Sequence, residues 1–319
     1  MPEIAPDVAP DVMPCVRPGV RPGVRPGLAE AIDRAPVVLD GGLATLLEAR
    51  GHDLSSDLWS ARLLRDDPAA IVAAHQEFFE AGAQVATSAS YQASFAGFAT
   101  LGLDRDAAAA LMTRSVELAR EARDASRPEG WVAASVGPYG AVLADGSEYR
   151  GDYGLGVAEL REFHRPRLAV LAEAGADVLA VETIPCLAEV EALCAELDGS
   201  GLTAWLSLSV DGDHTRYGEP LAEAWTMAAD VAEIIAVGVN CCVPGDVATA
   251  LTDAPLPSVA YPNSGQGWDA EARAWTGVSA FDAGAVQAWL AAGVHLVGGC
   301  CRVGPDDIRH VAAVVRTAS

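Results

Sequence analysis

The chain predicts an α/β protein built as a single (β/α)8 TIM barrel, and three observations carry that expectation. From Val37 onward, short apolar segments alternate with Ala/Glu/Arg-rich helical stretches, the pattern of parallel βα units. Eight such segments fall within about 280 residues, the count and length of one barrel. Polar and reactive residues stand at the C-terminal ends of the segments, where barrel enzymes carry their sites. An open doubly wound sheet is the alternative, and it would place a ligand at the same strand ends.

In chain order, residues 1–34 come first. They contain Val16-Arg17-Pro18-Gly19 and two further copies of the same tetrapeptide. Proline and glycine at that density support neither helix nor ladder, so a disordered leader is expected there, with the barrel over 35–319. The strand candidates are Val37–Asp40, Gln84–Ser88, Trp131–Val136, Val178–Glu182, Ala204–Val210, Ala236–Asn240, Ser258–Tyr261 and His295–Val297. Helices are expected between them, among them Asp104–Ala125, Val157–Ala174, Leu187–Leu197 and Pro305–Val315.

Composition narrows the function. Twenty-one Lys and Arg against 44 Asp and Glu give a formal charge of −23, which disfavours nucleic acid and anionic membranes as partners. No apolar stretch is long enough to span a bilayer, and the N-terminus lacks the apolar core of a signal peptide. Seven cysteines are an odd number in a chain too long to need disulfide staples. A reducing cytoplasm, with metal-binding or reactive thiols, is the expected setting.

The thiols cluster at two strand ends. Cys300 and Cys301 follow Gly298-Gly299 at the last strand, and Cys241 follows Asn240 at the sixth. Adjacent side chains on a regular strand point apart, so a shared ligand for Cys300 and Cys301 requires the strand end to curl, which the two glycines permit. Cys241, Cys300 and Cys301 would then hold a zinc ion and leave its fourth position open, the mark of a catalytic site. Cys242 is either a further ligand or a core residue. Cys15, Cys186 and Cys194 read as leader, loop and helix packing, and the six histidines, which show no ligand spacing, as structural.

A thiolate-rich zinc is a weak Lewis acid for hydrolysis. It suits alkyl transfer, because a substrate thiol entering the fourth position loses its proton yet keeps an electron-rich sulfur. Aromatic faces would suit a cationic alkyl donor, and Tyr91, Tyr139, Trp59 and Tyr261 stand at strand ends or loops.

Six motifs, spread in order over residues 36–316, resemble the zinc-dependent homocysteine S-methyltransferases: Val38-Leu39-Asp40-Gly41-Gly42, Thr87-Ser88-Ala89-Ser90-Tyr91, Ser135-Val136-Gly137-Pro138-Tyr139-Gly140, Glu182-Thr183-Ile184-Pro185, Gly238-Val239-Asn240-Cys241 and Gly298-Gly299-Cys300-Cys301. The stretches 143–153 and 163–167 look like the branch that uses S-methylmethionine or S-adenosylmethionine. The leader and the doubled Cys241-Cys242 lie outside the family pattern.

The resemblance implies zinc on Cys241, Cys300 and Cys301. It also implies that Asp40, Gly41, Gly42, Thr87 and Glu182 hold the amino-acid end of homocysteine. Two carboxylates suit an ammonium, and a hydroxyl with backbone N–H groups suits a carboxylate. Asn240, beside a ligand, would orient the thiolate, occupy the metal when substrate is absent, or simply cap its strand; Tyr91 would face the sulfonium donor. The expected partners are small molecules, with no organic prosthetic group and the oligomeric state left open. Other thiol or selenol acceptors such as selenocysteine, betaine as donor, and a non-catalytic zinc or thiol sensor are the competing readings. Cobalamin-dependent methionine synthases share the module but carry further domains, for which no room is expected here.

Overall fold

The structure is a computed structural model that describes residues 25–54, 59–143, 145–269 and 274–318. Its eight barrel strands are β1 (Val37–Val38), β2 (Val85–Thr87), β3 (Trp131–Val136), β4 (Val178–Ile184), β5 (Ala204–Leu208), β6 (Ile234–Asn240), β7 (Ser258–Tyr261) and β8 (Val294–Val297). All ladders between them are parallel, and β8 pairs back onto β1 through Val37–Leu296 and Val38–Val297. The expected (β/α)8 barrel is what forms.

Among the described residues no ladder joins β1 and β2. The seam is bridged instead by Gln84, whose backbone N–H donates to Val38 O at 2.7 Å while its side-chain Oε1 accepts from Val38 N at 2.9 Å. One turn further up, Asp40 bonds to Thr87, as described below.

Alternation along the strands builds two cores. Val178 and Ala180 of β4 face inward, in a cluster with Val85, Ala133, Trp205, Ala236, Val259 and Leu296. Leu179 and Val181, one residue out of phase, face the helices together with Phe78, Val116 and Leu193. That parity continues past the apolar residues. Thr87, Ser135, Glu182, Asn240 and Tyr261 carry the inward phase to the C-terminal mouth, which is why polar side chains gather there.

The outer ring consists of α1 (Pro68–Ala81), α2 (Arg105–Ser126), α3 (Val157–Glu173), α4 (Leu187–Leu197), α5 (Leu221–Ala229), α6 (Val247–Ala250), α7 (Ala283–Ala291) and α8 (Pro305–Ala318). Local chemistry fixes several of their ends. Asp67, Asp104 and Asp282 cap α1, α2 and α7 by accepting from the N–H three residues on, and Gly82, at φ 114°, stops α1.

Two sequence expectations change. Part of the segment expected as a leader over 1–34 is structured, because Leu28–Ile32 forms a short helix whose Leu28 and Ile32 pack into the inner core beside Val37 and Trp131. Pro26 O accepts from Trp131 Nε1 at 3.0 Å, and Arg25 pairs with Asp177. This segment plugs the mouth opposite the polar one, while residues 1–24, including the tetrapeptide repeat, lie outside the described residues. The strand expected over Ala204–Val210 stops at Leu208, and Val210–Asp211 pairs instead with His214–Thr215 in a small hairpin.

Candidate active site

Cys241, Cys300 and Cys301 converge at the polar mouth, with their sulfurs all within 4.8 Å of one another and Cys241 Sγ 3.9 Å from Cys301 Sγ. Backbone geometry brings them together. Cys241 ends β6 in the left-handed region at φ 51°, which turns its side chain away from the course of the strand. Cys300 N–H donates to Pro262 O at 2.8 Å, and Cys301 N–H to Asn263 Oδ1 at 3.0 Å, so the loop after β7 holds the pair.

Gly298 and Gly299 act differently from the sequence expectation. Neither lies in the left-handed region; each is needed for close approach. A Cβ on Gly298 would stand 2.6 Å from Leu39 Cβ, and one on Gly299 would stand 2.2 Å from Val303 Cγ1. The other wall of the contact obeys the same rule: a Cβ on Gly42 would meet Cys300 O at 2.5 Å and one on Gly41 would meet Val303 O at 2.3 Å.

Cys242 turns the other way, fully buried in the outer core, where burial pushes its thiol far above the usual range. It is a packing residue. Hydrogen bonds from Cys300 and Cys301 hold the Cys241 thiol well below its ordinary value, and the same contacts hold the other two up. The three sulfurs thus behave as one proton-sharing group that can hold a metal ion.

A cavity of about 280 Å³ opens beside the sulfurs, lined among others by Asp40, Gly41, Gly42, Thr87, Tyr91, Glu182 and Asn240. Every substrate-binding residue expected from the sequence therefore reaches one space. Asp40, 4% exposed, accepts from Thr87 N at 2.7 Å through Oδ2 and from Thr87 Oγ1 at 2.9 Å through Oδ1. Glu182, 8% exposed, accepts from the Ser135 hydroxyl. Burial raises both carboxyls to about 7, against the hydrogen bonds that oppose it, and the charge of Glu182 adds to the rise at Asp40. Two buried carboxyls poised near neutrality can receive a cation.

Some expected roles shift. The Gly42 N–H donates to Val303 O at 2.9 Å and the Thr87 hydroxyl to Asp40, so neither donor is open to a substrate carboxylate while these bonds last. Asn240 is committed to Thr183, accepting from its N–H and donating to its hydroxyl, both at 2.7 Å, which holds Thr183 at φ 63°. It fixes the end of β4 beside Glu182. Tyr139 leaves the mouth: its ring packs edge-on against Phe163 and Tyr153, at 5.0 and 5.4 Å. Tyr261 lines the cavity and accepts from Trp205 Nε1 at 3.0 Å. The side chain of Trp59 lies outside the described residues.

Tyr91 does line the cavity, on a loop held by Arg167. That guanidinium, fully buried on α3, donates to Gly137 O at 2.9 Å, Tyr91 O at 3.1 Å and Ser90 O at 3.4 Å. Sequence reasoning passed over Ser135, Tyr149 and Asn263. The inward parity of β3 was the available signal for Ser135, whereas Tyr149, whose hydroxyl lies 3.4 Å from Cys241 Sγ, sits on a loop with no periodicity to read.

Fold and site together define a barrel with a three-cysteine cluster able to hold a metal ion, beside an amino-acid-sized cavity into which buried carboxyls reach. The sequence profile described as Homocysteine S-methyltransferase matches residues 37–315, and the chain belongs to that family of methyltransferases. The homocysteine S-methyltransferase of Escherichia coli is 45% identical over 292 residues, 87% of this chain and 94% of that protein. The Bacillus subtilis homocysteine S-methyltransferase YbgG is 43% identical over 298 residues, covering 88% and 95%. The crystal structure of the Escherichia coli homocysteine methyltransferase MmuM in its metallated form superposes with a TM-score of 0.81, at 43% identity over 89% of this chain and 98% of that one.

Proposed function

We propose that this chain makes methionine from homocysteine, with zinc held by Cys241, Cys300 and Cys301 and a sulfonium compound as methyl donor. The observation that carries the reading is the three-sulfur cluster opening onto a cavity with two near-neutral buried carboxyls. Zinc–thiolate bonds of about 2.3 Å in a tetrahedron separate sulfurs by about 3.8 Å, close to the Cys241–Cys301 spacing of 3.9 Å. Bound there, the metal would favour the thiolate form of an entering thiol.

The chain's own residues supply position. Asp40 and Glu182 receive the α-ammonium of homocysteine, whose charge eases the repulsion between the two carboxyls. Thr87, Ser135 and Asn240 hold them in register. The homocysteine sulfur, its proton lost to solvent, forms a bond to the donor methyl carbon as the carbon–sulfonium bond breaks. The electron pair of that bond stays with the departing sulfur, which leaves as a neutral thioether. The centre requires three reduced thiols, and no described helix is long and apolar enough to cross a membrane, so we place the protein in the cytoplasm with small molecules as its partners. The strong acidity supports the absence of a nucleic-acid role.

The test is methionine formation by the zinc-loaded protein, with S-methylmethionine, S-adenosylmethionine and betaine supplied separately. Turnover with a sulfonium is expected. Turnover with betaine alone, or none with any donor while zinc stays bound, would overturn the reading.

A further inference from the structure

The loop after β3 brings a third carboxylate to the cavity, and the methyl acceptor gives it no task. Glu148 and Tyr149 sit on the single 3₁₀ turn Ser147–Tyr149, packed so closely on the loop start that a Cβ on Gly140 would lie 2.4 Å from Glu148 N. The Tyr149 hydroxyl touches Cys241 Sγ at 3.4 Å, and both residues line the same cavity as Asp40 and Glu182. Glu148 Oε2 is shielded from water and has no hydrogen-bond partner among the described residues. Arg150, two residues on, is engaged by Asp152 at 3.1 Å and Asp145 at 3.9 Å. A carboxylate oxygen removed from water without a donor is costly unless a cation arrives.

The charges leave room for a second cation. One ammonium set between Asp40 and Glu182 eases their mutual repulsion and leaves the Glu148 carboxylate unmatched. A third carboxylate, beside the sulfurs and next to an aromatic ring, calls for a second positive charge near the point of methyl transfer. A sulfonium centre has no N–H or O–H to donate, so it is recognised by charge and by aromatic faces, which are what Glu148, Tyr149 and Tyr91 offer.

We propose that Glu148 is the donor-specificity residue of this site: its carboxylate, beside Tyr149, receives the positive charge of the sulfonium methyl donor. This inference rests on the reading of the chain as a sulfonium-dependent methyltransferase. It also explains selection among cations. In betaine the carboxylate is one carbon from the charged nitrogen and is repelled by Glu148, whereas in S-methylmethionine a longer chain separates the carboxylate from the sulfonium.

Glu148→Gln removes the charge and keeps the shape. Calorimetric titration of the zinc-loaded protein with S-methylmethionine, and separately with homocysteine, is expected to show donor affinity about tenfold weaker and homocysteine affinity and zinc content unchanged. Steady-state KM for the donor should rise by the same factor. Donor affinity within twofold of wild type, or an equal loss for homocysteine, would overturn the assignment while wild-type turnover still stands. A wild-type protein that binds no sulfonium and transfers no methyl group would overturn the functional reading, and this inference with it.

Discussion

Asp40 and Thr87 join the two strands that the backbone ladder leaves unpaired: the carboxylate two residues past β1 accepts both the N–H and the hydroxyl of the last residue of β2. Under the proposed function, barrel closure and substrate binding would use the same side chain. A carboxylate that completes a seam cannot drift, so Asp40 is held in place before any ligand comes. The cost is desolvation, which lifts its pKa to about 7.

Thr87→Val keeps the volume and removes the hydroxyl bond. Asp40 then loses one of two donors while remaining buried, and the expected penalty is about 1.5–3 kcal/mol, the range for a hydrogen bond to a charged group. Homocysteine affinity should fall as well, because the carboxylate is free to rotate. Chemical denaturation and calorimetry of the metal-loaded variant check both, and an unchanged homocysteine affinity would show that Asp40 needs no such support.

The neighbouring cysteines Cys241 and Cys242 should separate cleanly. Cys242→Ala leaves a small cavity in the outer core, costing about 1 kcal/mol, and should retain one metal ion per chain. Cys301→Ala should lose the metal under the same conditions. Metal content after gel filtration decides this, and loss of metal from the Cys242 variant would return it to the ligand set.

The difference between those two cysteines marks how far the sequence alone reaches. Strand count, the inward phase of Glu182 and Asn240, and the pairing of distant thiols all follow from periodicity and strand-end position, which local sequence records. Which of two adjacent cysteines faces the site depends on the φ of 51° at Cys241, a backbone choice set by contacts with β7 that no local pattern encodes. The seam residue Gln84 and the buried Arg167 were hidden for a related reason: their partners are carbonyls and amides far away in sequence. The helix at Leu28–Ile32 was masked by the Pro/Arg/Gly repeat before it, although Leu28 and Ile32 already had the spacing of one buried face.

The pH dependence of stability offers the last prediction, and here two buried features oppose each other. His75, fully buried on α1 with neither ring nitrogen hydrogen-bonded among the described residues, has its pKa pushed down to about 4 by burial. The unfolded chain takes up that proton near 6.5, so stability falls as pH drops from about 6.5 to about 4. Asp40 and Glu182 work the other way. Their folded pKa of about 7 lies above the unfolded value, so the metal-free protein loses stability as pH rises from about 4 to about 7. Each shift corresponds to roughly 3–4 kcal/mol, and two carboxyls outweigh one histidine, so wild-type stability should fall from pH 5 to pH 8. His75→Leu should steepen that fall, because only the carboxylate slope remains. Glu182→Gln should flatten it, because one carboxyl then stands against one histidine, while homocysteine affinity drops. Urea denaturation of the wild type and both variants at pH 5 and pH 8 reads the slopes directly. A His75 variant no steeper than the wild type, or a Glu182 variant no flatter, would mean that the replaced group is not titrating where its burial places it.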